Sequence, residues 1–502
     1  MLRVHLTALI CLVLSTVSLA DTCGSIEFIG DVRVLNLWGS WDEMGYAHGY
    51  LLGPDISEVF HDYFLEMAGG TGSFESARTF FINYFEIPQD FSDYTQGMIS
   101  GIADTISLYS PVLGRNIDYI DICVCSSIPD IAALKGNSEL LCSSVSAWND
   151  ATAEATYLNG APAISRNLDY YVDTGATILD NSILLTFDPD EGQDWVSIGF
   201  PGFAGSLSGM NESGLSACLN MGNNQETTQY TTPFVPICMA LALGLSENDF
   251  DGSGQFDVED MKTALTTWNR GNSYDIHVVA DRALAGQDSS SVVVEVSNRD
   301  GYAFRYSTDE PTIAPDRMIL TNHHRVLIPP VSCYRYSYLM DSLTTDPDVD
   351  LQRFWNFMGA VGWPASPGSG GTIQTMVFMP EILGIMVSFS SLSTPSYAQV
   401  PEDIAWDDIF PNHSSQGMEI HDPEAGELIV FPNPSSGFVS IHLPASSCCI
   451  KVYDTSGRCI QRIANHEDES ATLDMSSFPE GLYRICALYS GKYLYKDVVI
   501  LR

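Results

Sequence analysis

Cys142-Ser143-Ser144-Val145-Ser146-Ala147-Trp148 alternates like a strand. A turn-rich stretch holding Asn159, Gly160 and Pro162 follows. A second apolar run then ends in Ser165-Arg166-Asn167-Leu168-Asp169-Tyr170. The two runs read as a β-hairpin, and a midpoint near Ala155 sets Cys142 opposite Asp169. A thiol, a guanidinium and a carboxylate then meet at the hairpin's open end, a combination suited to cleaving an amide. A cysteine freed at its own α-amine carries its own base, because that amine titrates near ~7.7–8.0 and can take the thiol proton at neutral pH. Plainer roles stand beside this one: Cys142 as half of a disulfide, and Arg166 with Asp169 as a strand-end ion pair.

Around the hairpin lie 502 residues, enough for two or three domains and a large core. A hydrophobic content of 45% is that of a globular chain. The net charge of -41 argues against nucleic acid, which needs basic patches, and suggests calcium, a salty medium or a heavily solvated surface. Residues 1–20 read as a secretory signal: Arg3, then an apolar core from Ala8 to Leu14, then Ser18-Leu19-Ala20 for cleavage. No later run is apolar and long enough to span a membrane. Export permits disulfides among the twelve cysteines, although spacing does not reveal their pairing.

Residues 21–141 read as mixed and mostly helical. Ser40-Trp41-Asp42-Glu43 has the form of a capping box, opening a helix that runs through His48-Gly49 toward Phe64. Residues 142–240 alternate strands with glycine turns, 241–270 read as two helices flanking an acidic loop, and 274–400 return to strands. Helical stretches near Tyr336–Leu343 and Leu351–Val361 interrupt that last region. A shift toward Asp, Pro, Asn and Ser marks a linker over 407–426.

Further motifs follow in order. Gly39-Ser40-Trp41-Asp42-Glu43-Met44-Gly45 with His48-Gly49 comes first, then Cys142-Ser143-Ser144 and Arg166-Asn167-Leu168-Asp169. Gly209 to Leu215 precedes Asn220, and Thr321-Asn322-His323 precedes Ser332 and Arg335. Over about residues 27–395 this order resembles the isopenicillin-N acyltransferase-like family of N-terminal-nucleophile cysteine hydrolases and, more distantly, choloylglycine hydrolases. The resemblance implies an α+β fold with a four-layer αββα core. It also implies a self-processing amidohydrolase or acyltransferase that cuts Leu141–Cys142 and works through a thioester on Cys142, with no catalytic cofactor and a small-molecule amide as substrate. Leu141 departs from the glycine that members often carry there. In this reading Arg166 lowers the thiol pKa by its charge, and Asp169 holds the amine or the thiol. Asn220 and Asn322 donate to the oxyanion, with Arg335 in the same pocket. As turn residues, both asparagines would instead cap backbone groups. His323 and His324 are set aside as bases, since the free amine makes one unnecessary.

Asp249 to Asp260 has the pattern of an EF-hand loop. Asp249, Asp251, Ser253, Gln255, Asp257 and Asp260 supply oxygen ligands, and Gly254 stands at the sharp turn. Asp260 replaces the usual glutamate with a shorter arm, which points to weak structural calcium binding; a solvated acidic turn is the other reading. The chain closes with a β-rich module over 427–502. Phe431 to Gly437 opens a strand, and hairpin turns fall at Val452–Arg458 and Phe478–Tyr483. The module resembles the C-terminal sorting domain of bacterial type IX secretion, which implies a small β-sandwich, the type IX machinery as partner, and passage through the periplasm to the cell surface or beyond. The domains expected are therefore a signal over 1–20, an N-terminal segment over 21–141, a hydrolase core over 142–406, a linker over 407–426 and a sorting domain over 427–502. The alternative function is a non-catalytic, calcium-stabilised surface binding protein with the same fold.

Overall fold

The computed structural model describes residues 23–131, 141–222, 233–285, 289–310, 312–410, 429–433, 435–442, 449–453, 459–464, 470–489 and 492–501. The expected signal and most of the expected linker lie outside these residues.

The chain begins with an antiparallel pair, β1 (Gly24–Ile29) and β2 (Val32–Gly39), then enters helices α1 (Trp41–Glu58), α2 (Leu65–Met67), α3 (Thr71–Tyr84) and α4 (Gln89–Thr105). A two-stranded ribbon of β3 (Tyr109–Ser110) and β4 (Arg115–Asn116) leads to α5 (Tyr119–Ser126). Next come β5 (Cys142–Ala147), β6 (Ala163–Val172), α6 (Thr177–Asp180), β7 (Ile183–Pro189), β8 (Trp195–Gly199), β9 (Ser208–Asn211) and β10 (Leu215–Met221). Helices α7 (Ile237–Ser246) and α8 (Val258–Thr266) precede β11 (Tyr274–Ala280), β12 (Ser291–Ser297), β13 (Gly301–Arg305) and β14 (Arg317–Leu320). The rest of the core is α9 (Tyr334–Thr345), α10 (Leu351–Val361), β15 (Ser369–Met379), β16 (Gly384–Phe389), β17 (Glu402–Ala405) and α11 (Trp406–Ile409).

Two sheets organise these strands. One has nine, in the order β1-β2-β7-β8-β9-β10-β11-β12-β13, and the other six, in the order β14-β5-β6-β15-β16-β17. All neighbours are antiparallel except β2 and β7, which run parallel. Alternation along each strand assigns its faces. Val34, Leu184, Val196, Ile198 and Cys218 of the larger sheet share an apolar cluster with Ile164, Met376, Phe378, Ile385 and Val387 of the smaller. Their strand neighbours Leu35, Leu37, Leu185, Phe187 and Leu219 instead join a cluster with α1, α4 and α7. On the far side of the smaller sheet, Val145, Ala147, Val377 and Met379 pack with α9 and α10. Each sheet thus shares an apolar cluster with helices, and residues of the two sheets share another.

The capping box is formed: the Ser40 hydroxyl accepts from the Glu43 amide while the Glu43 carboxylate accepts from the Ser40 amide. The helix it opens is α-helical only to Glu58 and continues to Phe64 as a π-helical turn, past Pro54 and a kink at Leu52. Pro54 has no amide to donate, which loosens the ladder there. Gly45 and Gly49 of α1 face Gly97 and Gly101 of α4 so closely that a Cβ at any of the four would strike the opposite backbone. The core also runs beyond the expected boundary at 406, because Trp406, Ile409 and Phe410 are buried in the cluster between the sheets.

The C-terminal module holds β18 (Ile429–Phe431), β19 (Phe438–His442), β20 (Cys449–Tyr453), β21 (Cys459–Ala464), β22 (Ser470–Asp474), β23 (Gly481–Tyr489) and β24 (Lys492–Ile500). They form a three-stranded sheet, β18-β19-β22, and a four-stranded sheet, β21-β20-β23-β24. Val439, Ile441 and Leu473 of the first share a core with Ile450, Val452, Ile485, Val498 and Ile500 of the second. Phe478–Tyr483 is therefore not a hairpin turn, as its composition suggested. It carries the chain from β22 in one sheet to β23 in the other.

Candidate active site

Hairpin β5–β6 forms, but one residue out of the expected register. Cys142 pairs with Leu168 and Ser144 with Arg166, while the Asp169 amide donates to the Leu141 carbonyl at 3.0 Å. Side chains alternate faces along a strand, so this shift separates the expected trio. Arg166 lies on the Cys142 side. Asp169 lies with Ser143 and Asn167 on the opposite face, beside the Cys142 backbone.

The thiol side is built around a buried cation. Arg166 is fully buried and, among the described residues, forms no ion pair. Its Nη1 donates to the Leu207 carbonyl at 2.9 Å and to the Ser208 hydroxyl, and its Nη2 donates to the Leu219 carbonyl. The same Nη2 stands 3.5 Å from the Cys142 Sγ. Three neutral acceptors thus hold the guanidinium against the sulfur without neutralising it. Burial raises the Cys142 thiol pKa above its ordinary value, and the nearby Arg166 charge pulls against that rise. Cys142 and the buried Cys123, Cys125, Cys218 and Cys238 are free thiols, as is the half-buried Cys333. The disulfide reading of Cys142 is not what the chain forms.

The nitrogen side is built from three distant segments. The Cys142 amide donates to Asn322 Oδ1 at 2.9 Å. Arg335, near the start of α9, donates through Nη1 to the Cys142 carbonyl at 2.5 Å and to the Ser143 hydroxyl at 2.7 Å, and through Nη2 to Asn322 Oδ1 at 2.7 Å. Asp169 Oδ2 is 3.8 Å from Arg335, and Asp169 Oδ1 accepts from the Thr372 hydroxyl at 2.6 Å. Burial pushes the Asp169 carboxyl up to about 7, against the opposing pull of Arg335 and the Thr372 hydrogen bond.

Both asparagines engage backbone groups. Asn322 turns its carbonyl oxygen to Cys142, while its Nδ2 donates to the Met221 carbonyl at 2.9 Å. Asn220 donates to the Thr321 carbonyl at 2.7 Å, and its buried Oδ1 has no hydrogen bond among the described residues. His324 is paired with Asp275 at 2.6 Å. His48, in the N-terminal motif, bonds Tyr94 and the Gly202 amide and is held near a pKa of about 3 by burial. Ser208, Thr372 and the Leu207 and Leu219 carbonyls were invisible to motif reading. Backbone acceptors have no residue signature, and Thr372 lies 203 residues from the Asp169 it serves.

The acidic loop joins α7 to α8. Carboxylate oxygens of Asp249, Asp251 and Asp260 lie within 4.8 Å of one another, and Gly252 and Gly254 take positive φ, +73° and +88°. Asp257 caps α8 by accepting from the Glu259 amide, and Asp260 completes that cap from its third position. Ser253 and Gln255 lie on the exposed turn, where the Ser253 hydroxyl donates to the Gln255 carbonyl.

Comparison with known proteins adds the following. Residues 429–501 match the family model of the secretion system C-terminal sorting domain, so this module is of the kind that marks proteins for secretion. An uncharacterized protein of Archaeoglobus fulgidus is 23% identical over 364 residues, which cover 64% of this chain and 56% of that protein. The chain thus spans about half the length of the curated relative it matches. Among solved structures, a Caenorhabditis elegans ortholog of N-acylethanolamine-hydrolyzing acid amidase is similar at 16% identity and a TM-score of 0.34, covering 48% of this chain and 93% of that one. Penicillin V acylase from Agrobacterium tumefaciens is similar at 13% identity and a TM-score of 0.33, covering 50% and 84%. Conjugated bile acid hydrolase from Clostridium perfringens is similar at 12% identity and a TM-score of 0.31, covering 53% and 97%. Among the described residues no helix is long and apolar enough to cross a membrane.

Proposed function

We propose that the chain is an exported cysteine amidohydrolase with a four-layer αββα core, whose nucleophile is Cys142 after it becomes N-terminal. The observation that carries this is that both ends of one residue are served. Arg166 faces the sulfur at 3.5 Å while Asn322 faces the nitrogen at 2.9 Å. Any buried amide needs an acceptor, but a structural cysteine needs no guanidinium at its sulfur. In the self-cutting step the sulfur attacks the Leu141 carbonyl, the Leu141–Cys142 C–N bond breaks, and the thiol proton passes to the freed amine. Water then hydrolyses the thioester, leaving a carboxylate on Leu141 and a thiol on Cys142. In turnover the α-amine takes the thiol proton, the sulfur attacks the substrate carbonyl, the substrate's C–N bond breaks, and the substrate's amine leaves with that proton. Water resolves the acyl-enzyme, or an acceptor amine does so in acyl transfer. Asn322 Oδ1 and Asp169 hold the amine, and Arg166 favours the thiolate. Asn220 and Asn322 are the oxyanion donors of this reading. Mass spectrometry of the purified chain tests this: it should find a polypeptide beginning at Cys142, and an intact chain that hydrolyses amides would refute the mechanism.

The loop over Asp249–Asp260 is read as a structural calcium site. Asp249, Asp251 and Asp260 converge, and Ser253 and Gln255 complete the oxygen set; Asp257 and one oxygen of Asp260 are engaged in the α8 cap, which weakens the site. The substrate is a small amide rather than nucleic acid, and the C-terminal module addresses the chain to type IX secretion. Deleting residues 427–502 should leave activity near normal while the native host retains the protein in the periplasm. Normal export of the truncated chain would defeat the address.

A further inference from the structure

Three buried polar residues stand side by side on adjacent strands of the nine-stranded sheet. Asn220 of β10 is in register with Asp275 of β11, and Asp275 with Glu295 of β12. Cross-strand partners share a face. All three are fully buried, where a carboxylate costs stability unless it is fully engaged.

Each holds a successive point on one segment, residues 321–327. Asn220 Nδ2 donates to the Thr321 carbonyl at 2.7 Å. Asp275 Oδ1 lies 2.6 Å from His324 Nδ1. Glu295 accepts the amides of Arg325 at 2.8 Å, Val326 at 3.0 Å and Leu327 at 2.8 Å, with Arg305 Nε at 3.1 Å as its counter-charge. Oxygen and nitrogen atoms of Asp275, Glu295 and His324 lie within 4.8 Å of one another, a spacing a metal can use. The four donors on Glu295 already fill its two oxygens, so the cluster is a hydrogen-bond anchor.

The tethered segment carries Asn322, whose Oδ1 takes the Cys142 amide and Arg335. We propose that Asp275 and Glu295 are positioning residues for the Cys142 centre, acting through His324 and the backbone of residues 325–327 to hold Asn322 against the Cys142 nitrogen. Asp275 and Glu295 touch neither the sulfur nor the cut bond. Their effect is on where Asn322 stands.

The first arm of the test needs no activity. In a full-length Cys142→Ala chain, which stays uncut, exchange of the residue 142 amide is followed with and without Asp275→Ala. Loss of the anchor should speed that exchange by roughly tenfold or more, while the core amides of Val439 and Ile441 are unaffected. Asp275→Asn keeps an acceptor for His324 and should restore most of the protection. Should Asp275→Ala not fold, His324→Phe removes the same bond while filling the space. The second arm, which rests on the proposed nucleophile, measures self-cutting during refolding of the Cys142 chain. Asp275→Ala should slow it by about tenfold or more, and Glu295→Gln should slow it too. A wild-type chain that never cuts sinks the proposed function, and the exchange arm then decides alone. Unchanged exchange at residue 142 overturns the positioning role.

Discussion

The Cys142 centre and the Asp249–Asp260 loop both concentrate charge, and they manage it in opposite ways. In the centre Arg166 and Asp169 are buried, and neutral groups hold Arg166 in place. In the loop Asp249 and Asp251 are exposed, and only Asp260 is buried. Water screens the loop, so moving one of its charges changes little. The interior screens the centre less, so each buried charge there acts more strongly on its neighbour. The centre should therefore fail sharply when altered and the loop gradually.

The sharpest test is Cys142→Ala, which should abolish both cutting and turnover and leave one full-length chain on a denaturing gel. Any residual turnover above background would move the chemistry away from this residue. Next, Asn322→Ala or Asn220→Ala should lower turnover by roughly 10²-fold or more, with a smaller change in substrate binding, because an oxyanion donor acts chiefly in the transition state. If one of them mainly weakens substrate binding, that asparagine is a binding group and not an oxyanion donor.

A third test uses pH. The Asp169 carboxyl is raised by burial to about 7, so the folded chain keeps its proton where the unfolded chain has lost it. Stability from this group is fully present below the ordinary aspartate pKa and is lost as pH rises through about 7. Asp169→Asn in the uncut Cys142→Ala chain mimics the protonated form. Thermal melts should show it gaining on its parent as pH climbs from about 4 to about 8. A gap between the two that does not change with pH would mean that Asp169 is already ionised in the folded chain.

The mildest effect is expected at the loop. With a dissociation constant of ~10⁻⁴–10⁻³ M, about 10 mM calcium should stabilise the fold by about 1.4–2.7 kcal/mol, a rise of a few degrees in melting temperature. Replacing Asp249 and Asp251 together by alanine should remove the gain and leave turnover intact. Turnover that falls with the calcium response would join the two regions and undo the contrast between them.

The contrast also explains what could be read from the chain alone. The loop is contiguous: six oxygen-bearing residues and a turn glycine within a dozen positions, which α7 and α8 then flank as expected. The hairpin was half legible. Its strands follow from alternation, but a fifteen-residue connection has no turn type to fix its parity, and with a short 3-10 turn at Asn149–Ala151 and positive φ at Asn149 and Asn159 the register sets Cys142 opposite Leu168 rather than Asp169. Thr372, Asp275 and Glu295 left no local signal. They reach the centre through the order of strands in two sheets, and no spacing in the chain encodes that order. Arg335 was expected in the same pocket, and it touches the carbonyl of Cys142, Ser143 and Asn322 together.

One consequence follows from the parallel seam between β2 and β7. These strands pair from Val34–Leu184 to Gly39–Pro189, and Leu141–Cys142 lies between them in the chain. A cut there yields two polypeptides that already share a nine-stranded sheet and one apolar interior. Dilution would not part them, because no subunit surface was ever exposed to water. The mature protein would be an obligate heterodimer born as a single translation product, its two halves matched one to one, and neither half would be replaceable by a newly made copy once the bond was gone.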